Sequence, residues 1–264
     1  MFGDGKVFDY PKPPSLIRRL IRVSGAGSAD LSLPAIVMDF FAGSGSTGQA
    51  VLEQNVTDDL GLRYVLVQLP EPLDPDDKDQ RAGAEYCDKL GRPRNIAELT
   101  KERLRRAGVK VRDENPMFAG DTGFRVFKLD STNIQAWEPD HADLEQTLEG
   151  AVDHLKVDRS EQDILFELLL KLGLDLCVPI ERRVISGKEV HSVGGGVLLV
   201  CLAPTIARQD VETLARGIVT WHAELAPAGD ATCVFRDSAF ADDVAKTNLA
   251  AILEQHGLKQ VRSL

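Results

Sequence analysis

Gly43, Gly45 and Gly48 fall in Gly-x-Gly-x-x-Gly spacing within the stretch Asp39-Phe40-Phe41-Ala42-Gly43-Ser44-Gly45-Ser46-Thr47-Gly48. Glycines so placed let a backbone turn sharply and let a ligand approach main-chain atoms where a Cβ would clash. Three ligand classes use such a turn. A nucleotide phosphate wants Gly-x-x-x-x-Gly followed by Lys. Gly43 to Gly48 has that spacing, but Gln49 stands where the cation belongs. A dinucleotide wants an acidic residue about 20 positions on for its ribose, and Gln68 or Glu71 is available there. S-adenosylmethionine has no phosphate and carries a sulfonium, an ammonium and a carboxylate. Asp39 suits its cationic part, and Phe40 or Phe41 offers a ring to its adenosine. S-adenosylmethionine fits best of the three, and a plain tight turn is the bland alternative. Thr47 on this reading serves the pocket or only caps the following helix.

Other reactive residue types are dispersed. Cys87, Cys177, Cys201 and Cys233 form no Cys-x-x-Cys pair, and His141, His154, His191, His222 and His256 share no metal-like spacing. Neither a zinc site nor a disulfide framework is expected, and the histidines read as structural or surface residues. Arg236-Asp237-Ser238 suggests no partner histidine for a hydrolase triad. Lys101, Arg103, Arg105, Arg106 and Lys110 form a basic stretch. Such a stretch suits DNA phosphates, although a solvated helix face is the commoner meaning. Trp137 and Trp221 read as packing residues.

The elements that must hold the turn read as alternating α and β. Ser15 caps a helix over 16–21, and Ala35–Asp39 is a short apolar run of the kind found in a buried parallel strand. The turn leads to a helix from Thr47 to about Gln54, then to a second buried strand over 63–69. An acidic, proline-bearing loop runs from Leu73 into a helix near Lys89. A helix over 95–107 follows, with Asn95 as cap and Glu98 at the capping-box position. That order indicates a parallel sheet with crossover helices. Further on, Gly123–Leu129 alternates with period two and should be a strand, 138–158 is acidic and weakly patterned, and 160–171 is a helix. A hairpin over 178–193, strands at 196–202 and 232–236, a short helix over 210–216 and a helix over 242–256 complete the list.

The 264 residues suffice for one large domain or two small ones. Net charge is −10, unevenly spread: residues 1–112 carry 17 Lys/Arg against 16 Asp/Glu, and residues 113–264 carry 14 against 25. An acidic second half repels nucleic-acid phosphates, and the shift suggests a boundary. No apolar run approaches the roughly 18 residues that span a bilayer, so no membrane is expected. The N-terminus lacks a secretion-signal pattern, and the cytoplasm is the expected compartment.

Asp-Phe-Phe-Ala-Gly-Ser-Gly-Ser-Thr-Gly-Gln-Ala-Val resembles motif I of amino-methylating DNA methyltransferases, and Phe8-Asp9-Tyr10-Pro11-Lys12-Pro13 resembles their motif X. Tyr64-Val65-Leu66-Val67-Gln68-Leu69-Pro70-Glu71-Pro72 is similar to the form found in modification subunits of type III restriction systems. So are Ile96–Arg103, Gly123–Leu129, Glu167–Gly173 and Arg236–Phe240, in that family's order. The resemblance covers essentially the whole chain. It implies an α/β fold: part of a doubly wound, Rossmann-like methyltransferase domain over 1–120, then a smaller mixed α/β domain over 121–264 serving assembly.

It further implies S-adenosylmethionine as cofactor, held by Lys12, Pro13, Asp39, Phe40, Phe41, Ala42, Gly43, Ser44, Gly45, Thr47, Gly48, Gln68 and Glu71. Methylation of the exocyclic amine of a flipped-out adenine follows, with DNA, a second copy of the subunit and a restriction subunit as partners. One departure matters. The family's catalytic Asp-Pro-Pro-Tyr motif is absent, and the only adjacent prolines are Pro13-Pro14. In this subclass that motif and the base-reading region precede motif X, so the chain is expected to be the C-terminal part of such a subunit, inactive alone. The alternatives are an assembly module with a vestigial pocket and a dinucleotide-binding oxidoreductase.

Overall fold

A computed structural model of the chain describes residues 7–8, 11–27, 34–135 and 155–264. Asp9 and Tyr10, part of the 25–32 loop, Trp137, His141, His154 and the 138–154 part of the acidic 138–158 stretch lie outside the described residues. The described residues form two compact units that divide between Val126 and Phe127.

The first unit begins with α1 (Pro14–Val23). Ser15 does not cap it, because the N-cap position is Pro13 and Pro14 is the first helical residue. The ring presets φ for the helix, and the missing N–H would have had no partner there. Ile17 and Ile21 pack on Ala50, Val51 and Leu62. Strand β1 (Ile36–Asp39) runs parallel to β2 (Arg63–Leu66), with Met38 opposite Val65. Between them lies α2 (Ser46–Asp58). Asn55 closes the α2–β2 connection by donating to the Leu62 carbonyl and accepting from its N–H, both at 2.9 Å.

The helix α3 (Arg81–Lys89) and the long α4 (Ile96–Glu114) follow. As its sequence indicates, α4 is capped by Asn95, whose side chain accepts from the Glu98 N–H at 3.0 Å. Leu99 packs with Ala84 and Cys87 of α3, and Ala107 and Val111 pack on Leu52 of α2.

The expectation that β1 and β2 are buried strands is not met. Only the face carrying Val37, Tyr64 and Leu66 is covered. The other face leaves Ile36, Met38, Val65, Val67 and Leu69 between 44 % and 63 % exposed. Alternation of side chains across a strand explains the split: α1 and α2 pack on one side, and no described residue covers the other.

The second unit centres on a five-stranded sheet ordered β3-β4-β5-β6-β7: β3 (Ile180–Ile185), β4 (Lys188–Val193), β5 (Leu198–Cys201), β6 (Thr232–Phe235) and β7 (Gln260–Ser263). The β3–β4–β5 pairs are antiparallel and the β5–β6–β7 pairs parallel. The expected hairpin is β3–β4, joined by Ser186-Gly187, both at positive φ, the type I′ geometry that suits two-residue hairpins.

Helix α5 (Glu161–Lys171) has a full capping box between Ser160 and Asp163. Its Ile164, Leu165, Leu168 and Leu169 cover one sheet face. On the opposite face, α6 (Val211–Leu225) and α7 (Asp243–Gln255) enclose Leu214, Ile218, Trp221, Leu249 and Leu253 with Cys201, Cys233 and Phe235.

Three readings of this half need correction. The helix placed over 210–216 runs on to Leu225, because Ile218 and Trp221 continue the buried stripe. The strand expected over 123–129 is not formed: no ladder pairs it among the described residues, and Phe127 instead packs its ring edge-on against Phe166. Finally β7, too polar to stand out in the sequence, adds to the sheet by pairing with β6.

Candidate functional site

The glycine-rich turn lies between the end of β1 and the start of α2. The ladder extends into it, with Val67 N–H donating to the Asp39 carbonyl at 2.9 Å and Ala42 N–H to the Val67 carbonyl at 3.1 Å. Gly45 has φ +77, and a Cβ there would come within 3.0 Å of the Thr100 side chain. A Cβ on Gly48 would fall 2.5 Å from a Leu104 methyl. Both contacts are with α4. The glycines therefore answer two needs: a left-handed residue at the helix entrance and close approach of α4 to α2.

Polar side chains fasten the turn. Asp39 accepts from Phe41 N–H at 3.2 Å through Oδ1, and from the Thr47 hydroxyl at 2.5 Å through Oδ2. Thr47 thus braces Asp39. It does not cap α2, whose N-cap is Gly45 with no side-chain bond. Gln68, just past β2, accepts from Gly43 N–H at 2.7 Å through Oε1 and donates to the Leu69 carbonyl at 3.0 Å through Nε2. From α4, the Thr100 hydroxyl donates to the Gly43 carbonyl.

Arg103 is 6 % exposed and donates to Ser46 Oγ at 3.1 Å and Gln49 Oε1 at 3.2 Å. Burial lowers its pKa from the usual guanidinium value. Ser44, Ser46, Thr47 and Gln49 are buried, whereas Phe40 and Phe41 are 63 % and 76 % exposed with ring centroids 5.1 Å apart.

Of the expected site residues, Asp39, Phe41, Gly43, Thr47 and Gln68 are joined by these bonds, and Phe40, Ala42, Ser44, Gly45 and Gly48 belong to the same turn. Lys12 and Pro13 lie before α1, and Glu71 lies beyond Gln68, with its carbonyl accepting from Ile96 N–H at 3.1 Å. These three stand outside the bonded set. Thr100 and Arg103 are additions to the site. The basic stretch hid Arg103, yet Leu99, Arg103, Ala107 and Val111 recur every four residues and share the buried side of α4.

The rest of that stretch is paired on its own helix: Lys101 with Glu98, Arg105 and Arg106 with Glu102, and Lys110 with Glu114. No group of three metal-binding side chains occurs among the described residues. His191 is 8 % exposed, and burial lowers its pKa although its Nε2 lies 3.3 Å from Glu189.

The arrangement offers a cationic, phosphate-free ligand a carboxylate, a turn of backbone groups and two exposed aromatic rings. It supplies no lysine for a phosphate. No protein-family model matches the chain. Curated relatives do. The chain is 31 % identical over 129 residues to the type III restriction-modification enzyme StyLTI Mod subunit of Salmonella typhimurium, covering 49 % of this chain and 17 % of the relative. It is 30 % identical over 184 residues to the EcoP15I Mod subunit of Escherichia coli, covering 69 % and 25 %. It is 26 % identical over 211 residues to the EcoPI Mod subunit of Escherichia phage P1, covering 79 % and 29 %. The matches thus span less than a third of each relative.

Proposed function

We propose that this chain, a type III modification-subunit-like protein by sequence, is the cofactor-binding part of a site-specific DNA N6-adenine methyltransferase, with S-adenosylmethionine held at the 39–48 turn. The observation that carries this reading is the turn itself. It links a parallel strand to a helix, presents Asp39 at the strand end, and has Gln49 where a phosphate site needs lysine. On this reading Asp39, Phe40, Phe41, the glycines, Thr47 and Gln68 form the pocket, and Lys12, Pro13 and Glu71 are assigned to it by resemblance alone. When bound, the cofactor supplies an electrophilic methyl group. The residues of this chain position it.

Transfer also needs a group that holds the adenine amine, and the Asp-Pro-Pro-Tyr motif is absent. The apolar face of β1 and β2 that the described residues leave open supports the same conclusion. Parallel sheets are covered on both faces, and Leu16, Leu20 and Val23 add an exposed apolar stripe on α1. Further polypeptide, bearing the catalytic motif, would complete a doubly wound domain here.

The second unit, whose sheet is covered on both faces by described helices, favours a companion role, assembly of the subunit with a second copy or with a restriction subunit in the cytoplasm. Its acidic composition suits protein partners better than DNA. Incubation of the chain with DNA and methyl-labelled cofactor tests the catalytic part: no label should reach adenine with this chain alone. Transfer by the chain alone would overturn the assignment of chemistry to a missing motif.

A further inference from the structure

Gly43 has both of its backbone polar groups held by side chains from distant parts of the first unit. Its N–H donates to Gln68 Oε1 at 2.7 Å, and its carbonyl accepts from the Thr100 hydroxyl. We infer that Gln68 and Thr100 are positioning residues that clamp the Gly43 peptide and preset the turn, and that Gln68 does not itself bind the ribose. This rests on the cofactor reading above but makes a separate claim about the ligand-free chain.

The chemistry of Gln68 supports the assignment. Its amide has one acceptor and one donor end, and both meet backbone groups: Oε1 faces the Gly43 N–H and Nε2 faces the Leu69 carbonyl at 3.0 Å. Rotating the amide by half a turn would oppose donor to donor and acceptor to acceptor. A glutamate could keep the Gly43 bond but would set an anionic oxygen against the Leu69 carbonyl. An amide therefore serves the clamp better than the carboxylate a ribose would prefer.

Thr100 has a single hydroxyl proton and two carbonyls in reach, those of Gly43 and Ile96. The Gly43 contact is the shorter, and its methyl also meets the space above Gly45. The hydroxyl thus ties the turn to α4, while Arg103 ties the first turn of α2 to the same helix through Ser46 and Gln49. Preorganised backbone is worth most at a ligand site, because binding then spends less free energy on ordering it.

The test is amide hydrogen exchange in the ligand-free chain, followed residue by residue, with Val51 in α2 as internal control. Gln68→Leu and Thr100→Val are expected to speed exchange at Gly43 by about tenfold, the scale of one lost hydrogen bond, while Val51 stays protected. Thr100→Ser should restore the wild-type rate. Unchanged Gly43 exchange in Gln68→Leu would overturn the clamp. Should Gln68→Leu lose protection at Val51 as well, Thr100→Ser and Gln68→Glu, which keep the essential donor and acceptor, decide the matter.

Titration with S-adenosylmethionine gives the second arm. Gln68→Glu should bind no more tightly than wild type. Tighter binding would identify position 68 as the ribose ligand and overturn the inference. If wild type binds no cofactor, the cofactor reading fails and exchange at Gly43 still judges the clamp.

Discussion

The two sheets of this chain solve the same problem differently. The five-stranded sheet of the second unit carries α6 and α7 on one face and α5 on the other, and Leu165, Leu169, Leu199, Leu214 and Trp221 are each at most 1 % exposed. Among the described residues, the two-stranded sheet of the first unit has helices on one face only, with Met38 at 61 % and Val65 at 46 % exposure on the other. A parallel pair of four-residue strands is too small to be stable by itself, so α1, α2 and α4 carry the packing. Among the described residues, the sheet of the second unit is covered on both faces, whereas the first unit is fastened locally around one turn and leaves one sheet face bare.

Core truncation in the closed unit should have the largest effect. Leu214→Ala removes a fully buried side chain beside Trp221 and should destabilise that unit by about 2–5 kcal/mol. Denaturant unfolding followed by Trp221 fluorescence checks it. A loss under about 1 kcal/mol would mean that this core is as loosely covered as the first unit's open face.

The capping box of α5 comes next. Ser160→Ala should cost about 1 kcal/mol near neutral pH. Hydrogen bonds from the Ser160 side chain and then its backbone hold the Asp163 carboxyl below its usual pKa. A carboxyl depressed in the folded state adds stability above its unfolded pKa, and loses it as pH falls through the folded value. The difference between wild type and Ser160→Ala should therefore shrink below about pH 4. A difference that grows with acidification would contradict the assignment.

Smallest is the effect of polar substitution on the open face. Met38→Thr together with Val65→Thr keeps strand-compatible shapes and should alter stability by no more than about 0.5 kcal/mol, while reducing binding of a hydrophobic dye. A loss of about 2 kcal/mol or more would mean that this face is covered in the chain as it stands, and would remove the contrast between the two sheets.

How far the sequence reveals these features depends on whether the cause is local. Asn95 with Glu98, the helix over 160–171 and the hairpin over 178–193 are all legible, because capping, periodicity and turn chemistry act over a few residues. The turn from Asp39 to Gly48 is legible for the same reason. Arg103 is harder. By type it belongs with Arg105 and Arg106, and only its place in the four-residue rhythm of Leu99, Ala107 and Val111 shows that it points inward. Thr100 gives no signal, since its bond to Gly43 joins residues far apart in the chain. The alternation over 123–129 states a preference for extended backbone, but a strand needs a partner that local sequence does not supply. The runs at 35–39 and 63–69 indicate a sheet buried on both faces, and only the three-dimensional arrangement shows that the described residues leave one face bare.

Calorimetric titration of the chain with S-adenosylmethionine, repeated with NAD and with a Gly48→Val variant, tests the central claim most directly. Saturable heat at one site with S-adenosylmethionine, none with NAD, and loss of the signal in Gly48→Val are the predicted results. Heat with NAD alone, or no heat with S-adenosylmethionine, would contradict the assignment of the 39–48 turn.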